Sequence, residues 1–283
     1  MFDTVEGRPR AEVAEEAPNR KRAFSLSIIV PIYNEEGQLW PMAEALAQDI
    51  DAVVGKGAWQ YVLIENGSTD GTPRIVERIL TSWPGSIRVD LPRPNFGLAL
   101  RRGLEAAQSD YAYIINVDFW DALFLQWAWA NRLSYDLILG SKRADPSLNN
   151  LPPYRKMLSW GLNLLFQVFF GFVGRDTHGQ KLLFLPAMLP IIEHCVMERG
   201  QFDTEFTLRA LRRGLWVAEA PVPISEQRRQ RNLMIRKIWN NLIDVLRLTR
   251  VMSPIPFTKT RYHRWAREDM ELMHVVSWGK RSD

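Results

Sequence analysis

Asn116 and Asp118 close the run Tyr111-Ala-Tyr-Ile-Ile-Asn-Val-Asp118, whose β-branched and aromatic residues favour extended backbone. Residues two apart on a strand project to one side, so an amide and a carboxylate would form a polar fork where the strand meets its loop. Magnesium and manganese prefer oxygen ligands, and magnesium commonly takes only one or two protein carboxylates, completing its shell with phosphates and water. Asp118 alone therefore suffices as a candidate ligand for Mg2+ or Mn2+. The bland alternative is that Asp118 caps a helix over residues 119–130; Asp121 could assist at the metal but reads more readily as such a cap. Zinc is disfavoured, because four scattered histidines and one cysteine give no ligand spacing. His178 and His194 read as structural.

The second chemical group is Glu65-Asn-Gly-Ser-Thr-Asp-Gly-Thr72. Glu65 and Asp70 can accept hydrogen bonds from a base or a ribose, while Gly67 and Gly71 let backbone approach a ligand closely. That outlines a mononucleotide pocket. An ordinary Asn-Gly turn is the plain alternative. Neither the dinucleotide fingerprint G-x-G-x-x-G nor the phosphate loop G-x-x-x-x-G-K-[ST] is present.

These residues need a scaffold that brings loops together, and the chain alternates strands with helices. Strands are expected at Phe24–Ile32, Trp59–Ile64, Ile87–Leu91, Tyr111–Val117, Asp136–Gly140, Gln180–Leu185 and Leu215–Val222, the last taken as the final strand of the body. Helices are expected over 38–54, 73–80, 97–108, 186–197 and 201–213. Such alternation implies a parallel sheet built from right-handed crossovers, with ligands at the carboxyl ends of the strands.

At 283 residues and 46% hydrophobic content the chain can bury a full α/β core. Residues 1–22 read as a disordered tail with no secretory signal. One cysteine excludes an internal disulfide framework. A net charge of +4 favours an anionic partner, and eleven tryptophans weigh towards a membrane surface. No nucleic-acid motif is present, so no nucleic acid is expected. Met157–Gly174, apolar and flanked by charge, reads as helices in the membrane interface, a buried core helix or a short span. From Glu226 onward apolar residues recur at helical spacing beside Arg and Lys, a basic amphipathic helix that either docks on a membrane or packs on the body.

Ser27-Ile-Ile-Val-Pro-Ile-Tyr-Asn-Glu-Glu36, Glu65-Asn-Gly-Ser-Thr-Asp-Gly-Thr72, Asn95-Phe-Gly97, Asn116-Val-Asp118 and Gly140-Ser-Lys142 stand in the order and spacing of family-two inverting glycosyltransferases. The chain resembles most the polyprenyl-phosphate group, the dolichyl-phosphate mannose and glucose synthases. Arg175-Asp-Thr-His-Gly-Gln-Lys181, Phe202-Asp-Thr-Glu205 and Ala218-Glu-Ala-Pro-Val222 are similar to that group's later motifs. The resemblance implies a GT-A fold, a Rossmann-like, mostly parallel sheet flanked by helices. The catalytic domain would be 23–225, with interfacial helices inserted at 151–175 and a basic helical extension over 226–283.

The implied activity is metal-dependent hexosyl transfer from a nucleotide diphosphate sugar to a polyprenyl phosphate. It would be peripheral, on the cytoplasmic face of the membrane, with an oligomer left open. Pro31, Tyr33, Glu35, Glu65, Ser68, Asp70, Asn95, Gly97 and Asn116 would hold the nucleotide sugar, and Asp118 the metal. Arg155 and Ser159, at i and i+4 on one helical face, match the acceptor-phosphate clamp, with Lys142 or Arg143 adding a cation. Asp176 and Lys181 would line the reaction centre. Asn116 stands where the family has the first acid of D-x-D, and Glu65-Asn66 where it has Asp-Asp or Asp-Asn. The other readings are a glycosyltransferase with a saccharide acceptor and a non-catalytic sugar-nucleotide-binding scaffold.

Overall fold

The computed structural model describes residues 23–142, 153–198, 200–223, 234–252, 262–267 and 270. Strand β1 (Phe24–Ile32) is apolar along almost its whole length because both its faces are covered. Leu26, Ile28, Val30 and Ile32 point into one layer, with helices α1 (Leu39–Val53), α2 (Thr72–Ser82) and α4 (Ala122–Ala130). Ile29 points into the other, with α3 (Phe96–Ala106), α5 (Pro153–Phe170), α6 (Leu185–Ile192), α7 (Phe202–Arg212) and α8 (Met234–Val251). Gly103 lets α3 lie close on the sheet, since a Cβ there would fall 2.6 Å from Ile64 and 2.8 Å from Ile29.

The remaining strands are β2 (Trp59–Glu65), β3 (Ile87–Asp90), β4 (Ser109–Ile114), β5 (Leu137–Ser141), β6 (Lys181–Phe184), β7 (Val217–Pro221) and β8 (Tyr262–Arg264). They form one sheet in the order β3-β2-β1-β4-β6-β5-β7-β8. All neighbours pair in parallel except β6, which runs antiparallel to both β4 and β5. Strands β1, β2 and β3 step outward one way while β4 starts on the other side of β1. The order therefore reverses between β1 and β4, where an open α/β sheet leaves its crevice.

Two sequence expectations change. Strand β4 ends at Ile114, three residues before Val117, because the Phe119 N–H folds back onto the Asn116 carbonyl at 3.2 Å and closes a turn. Asn116 and Asp118 thus sit on a turn anchored by the buried Val117 and Phe119, not side by side on a strand. Beyond β7, the expected last strand, Tyr262–Arg264 adds β8 in parallel with Val217–Glu219.

Helix α5 divides its apolar residues. Phe166 and Phe170 are buried in the core, whereas Trp160 is 66% exposed, Val168 69% and both Leu164 and Phe169 40%. Among the described residues no helix is long and apolar enough to cross a membrane, which removes the spanning alternative there. Helix α8 packs Val245 and Leu248 into the same core layer and exposes Ile243 and Leu246.

Candidate active site

The loop after β1 and the loop after β2 are laced together. Asn34 takes a left-handed conformation, φ 54°, from which its N–H donates to Ser68 Oγ at 3.1 Å and its Oδ1 accepts the Thr69 N–H at 2.8 Å. The Glu35 N–H donates to Thr72 Oγ1 at 2.8 Å. The Glu36 N–H donates to Asp70 Oδ2 at 3.3 Å, and the Gly71 N–H returns to Glu36 Oε2 at 3.0 Å. A Cβ at Gly71 would fall 2.1 Å from the other Glu36 oxygen, so a side chain there would displace the Glu36 carboxylate from this contact. Asp70 also accepts the Thr72 N–H at 3.0 Å. Hydrogen bonding from the Thr72 side chain, then from backbone amides, holds the Asp70 carboxyl below the usual range.

Glu65 ends β2 and is buried. Its oxygens accept the Ser68 N–H at 2.7 Å and the Gly67 N–H at 3.1 Å, so the acid shapes its own turn. Gly67, at φ 75°, packs on the Arg93 backbone. Asn66 Oδ1 accepts the Asn95 N–H at 2.8 Å, and Asn95 in turn caps α3 through the Leu98 N–H at 3.2 Å. Asn66 had no role assigned from sequence, although it ties the second loop to the third. Beside them a cleft of about 450 Å³ is lined by Arg93, Pro94, Asn95, Phe96, Leu98 and Gly200. Gly97 is buried in the first turn of α3, Pro31 is half-buried and Tyr33 is exposed at the mouth of the first loop.

Across the crevice stands the 116–119 turn, with Asn116 exposed and Asp118 half-buried. Lys142, just past β5, places Nζ 4.9 Å from the centroid of the Phe119 ring, so a cation overhangs the turn that carries Asp118. Among the described residues no group of three or more His, Cys, Asp or Glu side chains could hold a metal by itself. A carboxylate and an exposed amide two residues apart on one turn are nonetheless hard-oxygen donors of the kind magnesium completes with phosphate and water. Asp121 has the expected capping role, accepting the Phe124 N–H at 3.0 Å. Arg143, and the side chains of Arg155 and Ser159, lie outside the described residues.

Asp176 is buried, accepts the His178 N–H at 2.9 Å and donates its own N–H to Glu219 Oε1 at 3.2 Å. Lys181 does not face open space. Its side chain is 2% exposed, and Nζ donates to the Gly179 carbonyl at 2.8 Å and to Asp203 Oδ2 at 3.2 Å. His178 bridges the Thr177 hydroxyl at 3.1 Å and the Gly200 carbonyl at 3.0 Å, and His194 Nδ1 is 2.7 Å from the Pro190 carbonyl, both structural as expected. Three further buried acids had no role assigned from sequence. Glu219 receives the Arg175 and Asp176 amides, Glu205 receives the Val196 and Met197 amides, and Asp203 pairs with Lys181. Their signal was an acid inside an apolar element, as in Val-Ala-Glu-Ala-Pro.

The family model for "Glycosyl transferase family 2" matches residues 27–179. The chain is 26% identical over 213 residues to dolichyl-phosphate beta-glucosyltransferase ALG5A from Trichomonas vaginalis, covering 71% of this chain and 66% of that one. It is 26% identical over 228 residues to glycosyltransferase AglD from Haloferax volcanii, covering 78% of this chain and 35% of the relative. The match thus spans about two thirds of the first relative's length and about a third of the second's. Among solved structures, glucosyl-3-phosphoglycerate synthase from Mycobacterium tuberculosis, in complex with Mn2+, UDP and glucosyl-3-phosphoglycerate, superposes with a TM-score of 0.55. It is 18% identical and covers 87% of this chain and 84% of its own, a likeness of fold. The α/β architecture is the GT-A kind that the motifs implied.

Proposed function

The chain belongs to glycosyl transferase family 2, and on that premise we propose that it moves a hexose, with inversion, from a nucleotide diphosphate sugar to a polyprenyl phosphate at a membrane surface. The observation that carries this reading is the meeting of loops 31–36, 65–72 and 116–119 at the reversal of strand order between β1 and β4.

In this reading Pro31, Tyr33 and Glu35 on the first loop, Glu65, Ser68 and Asp70 on the second, and Asn95, Gly97 and Asn116 beside them hold the nucleotide sugar. Glu65 retains acceptor capacity, since a carboxylate has about four lone-pair sites and two amides occupy it. Asp118 would hold Mg2+ or Mn2+, with the Asn116 amide oxygen available, and the ion when bound would neutralise charge on the departing diphosphate. Manganese and UDP accompany the mycobacterial synthase of similar fold, which supports this choice. Lys142 supplies a cation on the same side. A phosphate monoester acceptor has a second pKa of about 6, so it is already largely dianionic near neutrality and needs no strong base.

Arg143, Arg155 and Ser159 would hold the acceptor phosphate, Asp176 would line the reaction centre, and Lys181 would support that loop from below through Asp203 and the Gly179 carbonyl. Dolichyl-phosphate chemistry in a relative's name supports the lipid acceptor. So does the outward apolar row Trp160, Leu164 and Val168 on α5, spaced four residues apart on one helical face. We place the chain as a peripheral protein on the cytoplasmic face, its charge of +4 favouring an anionic surface.

The test is transfer of radiolabel from a panel of sugar nucleotides to undecaprenyl phosphate with Mg2+ or Mn2+ present, followed by partition. Label in the organic phase supports the proposal. Label transferred only to a saccharide moves the acceptor to the second reading, and nucleotide binding without turnover in either metal leaves a scaffold.

A further inference from the structure

Segment 262–267 reaches both loops that flank the proposed reaction centre, and the chemistry above makes no use of it. In β8 the Tyr262 hydroxyl donates to Glu219 Oε2 at 2.7 Å. Glu219 is completely buried and its other oxygen accepts the Arg175 N–H at 3.0 Å and the Asp176 N–H at 3.2 Å. Arg264 lies 3.5 Å from the same carboxylate through Nε, and its Nη2 donates to the Val173 carbonyl at 3.0 Å. Gly174 makes room for this approach, because a Cβ there would fall 2.4 Å from the Tyr262 oxygen. Burial, reinforced by the negative charge of Glu219, pushes the Tyr262 hydroxyl well above the ordinary phenol range, so it remains a donor at any working pH.

Five residues on, Arg267 Nη1 donates to Asp121 Oδ2 at 2.8 Å and to the Pro221 carbonyl at 3.3 Å. The other oxygen of Asp121 caps α4 three residues after Asp118. Between these two attachments the Trp265 N–H donates to the Glu219 carbonyl at 2.9 Å, and Met270 is fully buried beyond them.

We propose that segment 262–267 is a positioning clamp: Tyr262 acts through Glu219 on the backbone at Asp176, and Arg267 acts through Asp121 on the exit of the Asp118 turn. The effect on transfer rests on the function proposed above; the effect on the two loops does not. Neither Tyr262 nor Arg267 touches substrate in this scheme. Both set where the groups that do so stand, and misplacement of about 1 Å can cost ~10²-fold in rate.

The test uses the whole chain with Tyr262→Phe, which removes only the hydroxyl, Arg267→Met, and Arg267→Lys as the conservative partner. Amide hydrogen exchange is read at Arg175, Asp176 and Phe124, beside kcat and KM for the sugar nucleotide and a thermal midpoint. Tyr262→Phe is expected to speed exchange at Arg175 and Asp176 by about tenfold without change at Phe124, and Arg267→Met to do the reverse, since local opening is read site by site. Each should lower kcat by about tenfold with KM within about twofold, and Arg267→Lys should recover part of the loss. Unchanged exchange at these amides overturns the clamp, and so does acceleration spread evenly over the sheet. Changed exchange with unchanged kcat overturns its role in transfer. If the unsubstituted chain transfers nothing to any acceptor, the functional reading fails while the exchange pattern still decides the clamp.

Discussion

The Lys142 ammonium lies 4.9 Å from the centroid of the Phe119 ring, so the end of β5 is coupled to the turn that presents Asp118. At a half-exposed site such a contact contributes about 0.5–1 kcal/mol to stability. A cation held against the acceptor phosphate of the proposed reaction is worth far more to the rate. Lys142→Met is therefore expected to leave the thermal midpoint nearly unchanged and to lower kcat by ~10²-fold, in the range for loss of one electrostatic stabiliser. Steady-state kinetics beside a melting curve checks both halves; a variant that unfolds early without a specific fall in kcat counts against the assignment.

Asp118 is the next residue to test, because it is half-buried on a turn whose anchors are Val117 and Phe119. Removing its carboxylate leaves those anchors in place. Asp118→Ala should lower transfer by at least ~10²-fold with the far-ultraviolet circular dichroism unchanged, and added manganese should no longer raise the rate. Turnover equal to that of the unsubstituted chain rejects Asp118 as the ligand.

The sheet and most of its helices were legible because the continuous apolar run of Phe24–Ile32 and the helical apolar spacing of Leu39–Val53 are long and uninterrupted. The 116–119 turn was not, since Ile115-Asn116-Val117 continues the strand pattern and only the return of the Phe119 N–H to Asn116 ends it. Strand β8 was hidden for another reason. Three residues carry no period, and Tyr262 is held by Glu219, 43 positions earlier in the chain. Acids with assigned roles were found through their loops, whereas Glu219 and Glu205 stand in quoted motifs but bind amides 43 and 8 positions away, partners that the motifs do not reveal.

Asp70 carries a pH dependence with a definite sign. Its folded carboxyl lies below the ordinary value, chiefly through the Thr72 side chain. The stabilisation is thus present above the unfolded pKa of about 3.9 and is lost as pH falls through the lower folded value. The lacing of Glu36, Asp70 and Thr72 should hold unchanged from neutral pH down to about pH 5 and loosen below about pH 4. Asp70→Asn should weaken sugar-nucleotide binding at neutral pH and flatten the acid-side loss below about pH 4, as titration calorimetry across the range would read. Identical acid limbs for both proteins would assign the loss to another carboxyl.

Lys181 and Asp203 form a buried pair, 3.2 Å apart with side chains 2% and 4% exposed, and the pair separates a structural role from a chemical one. Lys181→Met leaves the Asp203 carboxylate buried without its cation, which should cost about 3–5 kcal/mol in urea unfolding. Replacing both partners by apolar groups of similar volume is often neutral or better, so Lys181→Met with Asp203→Leu should regain most of that loss. Because Nζ is turned to Gly179 and Asp203, transfer is expected to return with stability, to within about tenfold of the starting chain. A double variant that is stable yet still inactive would put the Lys181 ammonium among the groups that touch the reacting atoms, and the support it gives the 176–179 turn would then be secondary.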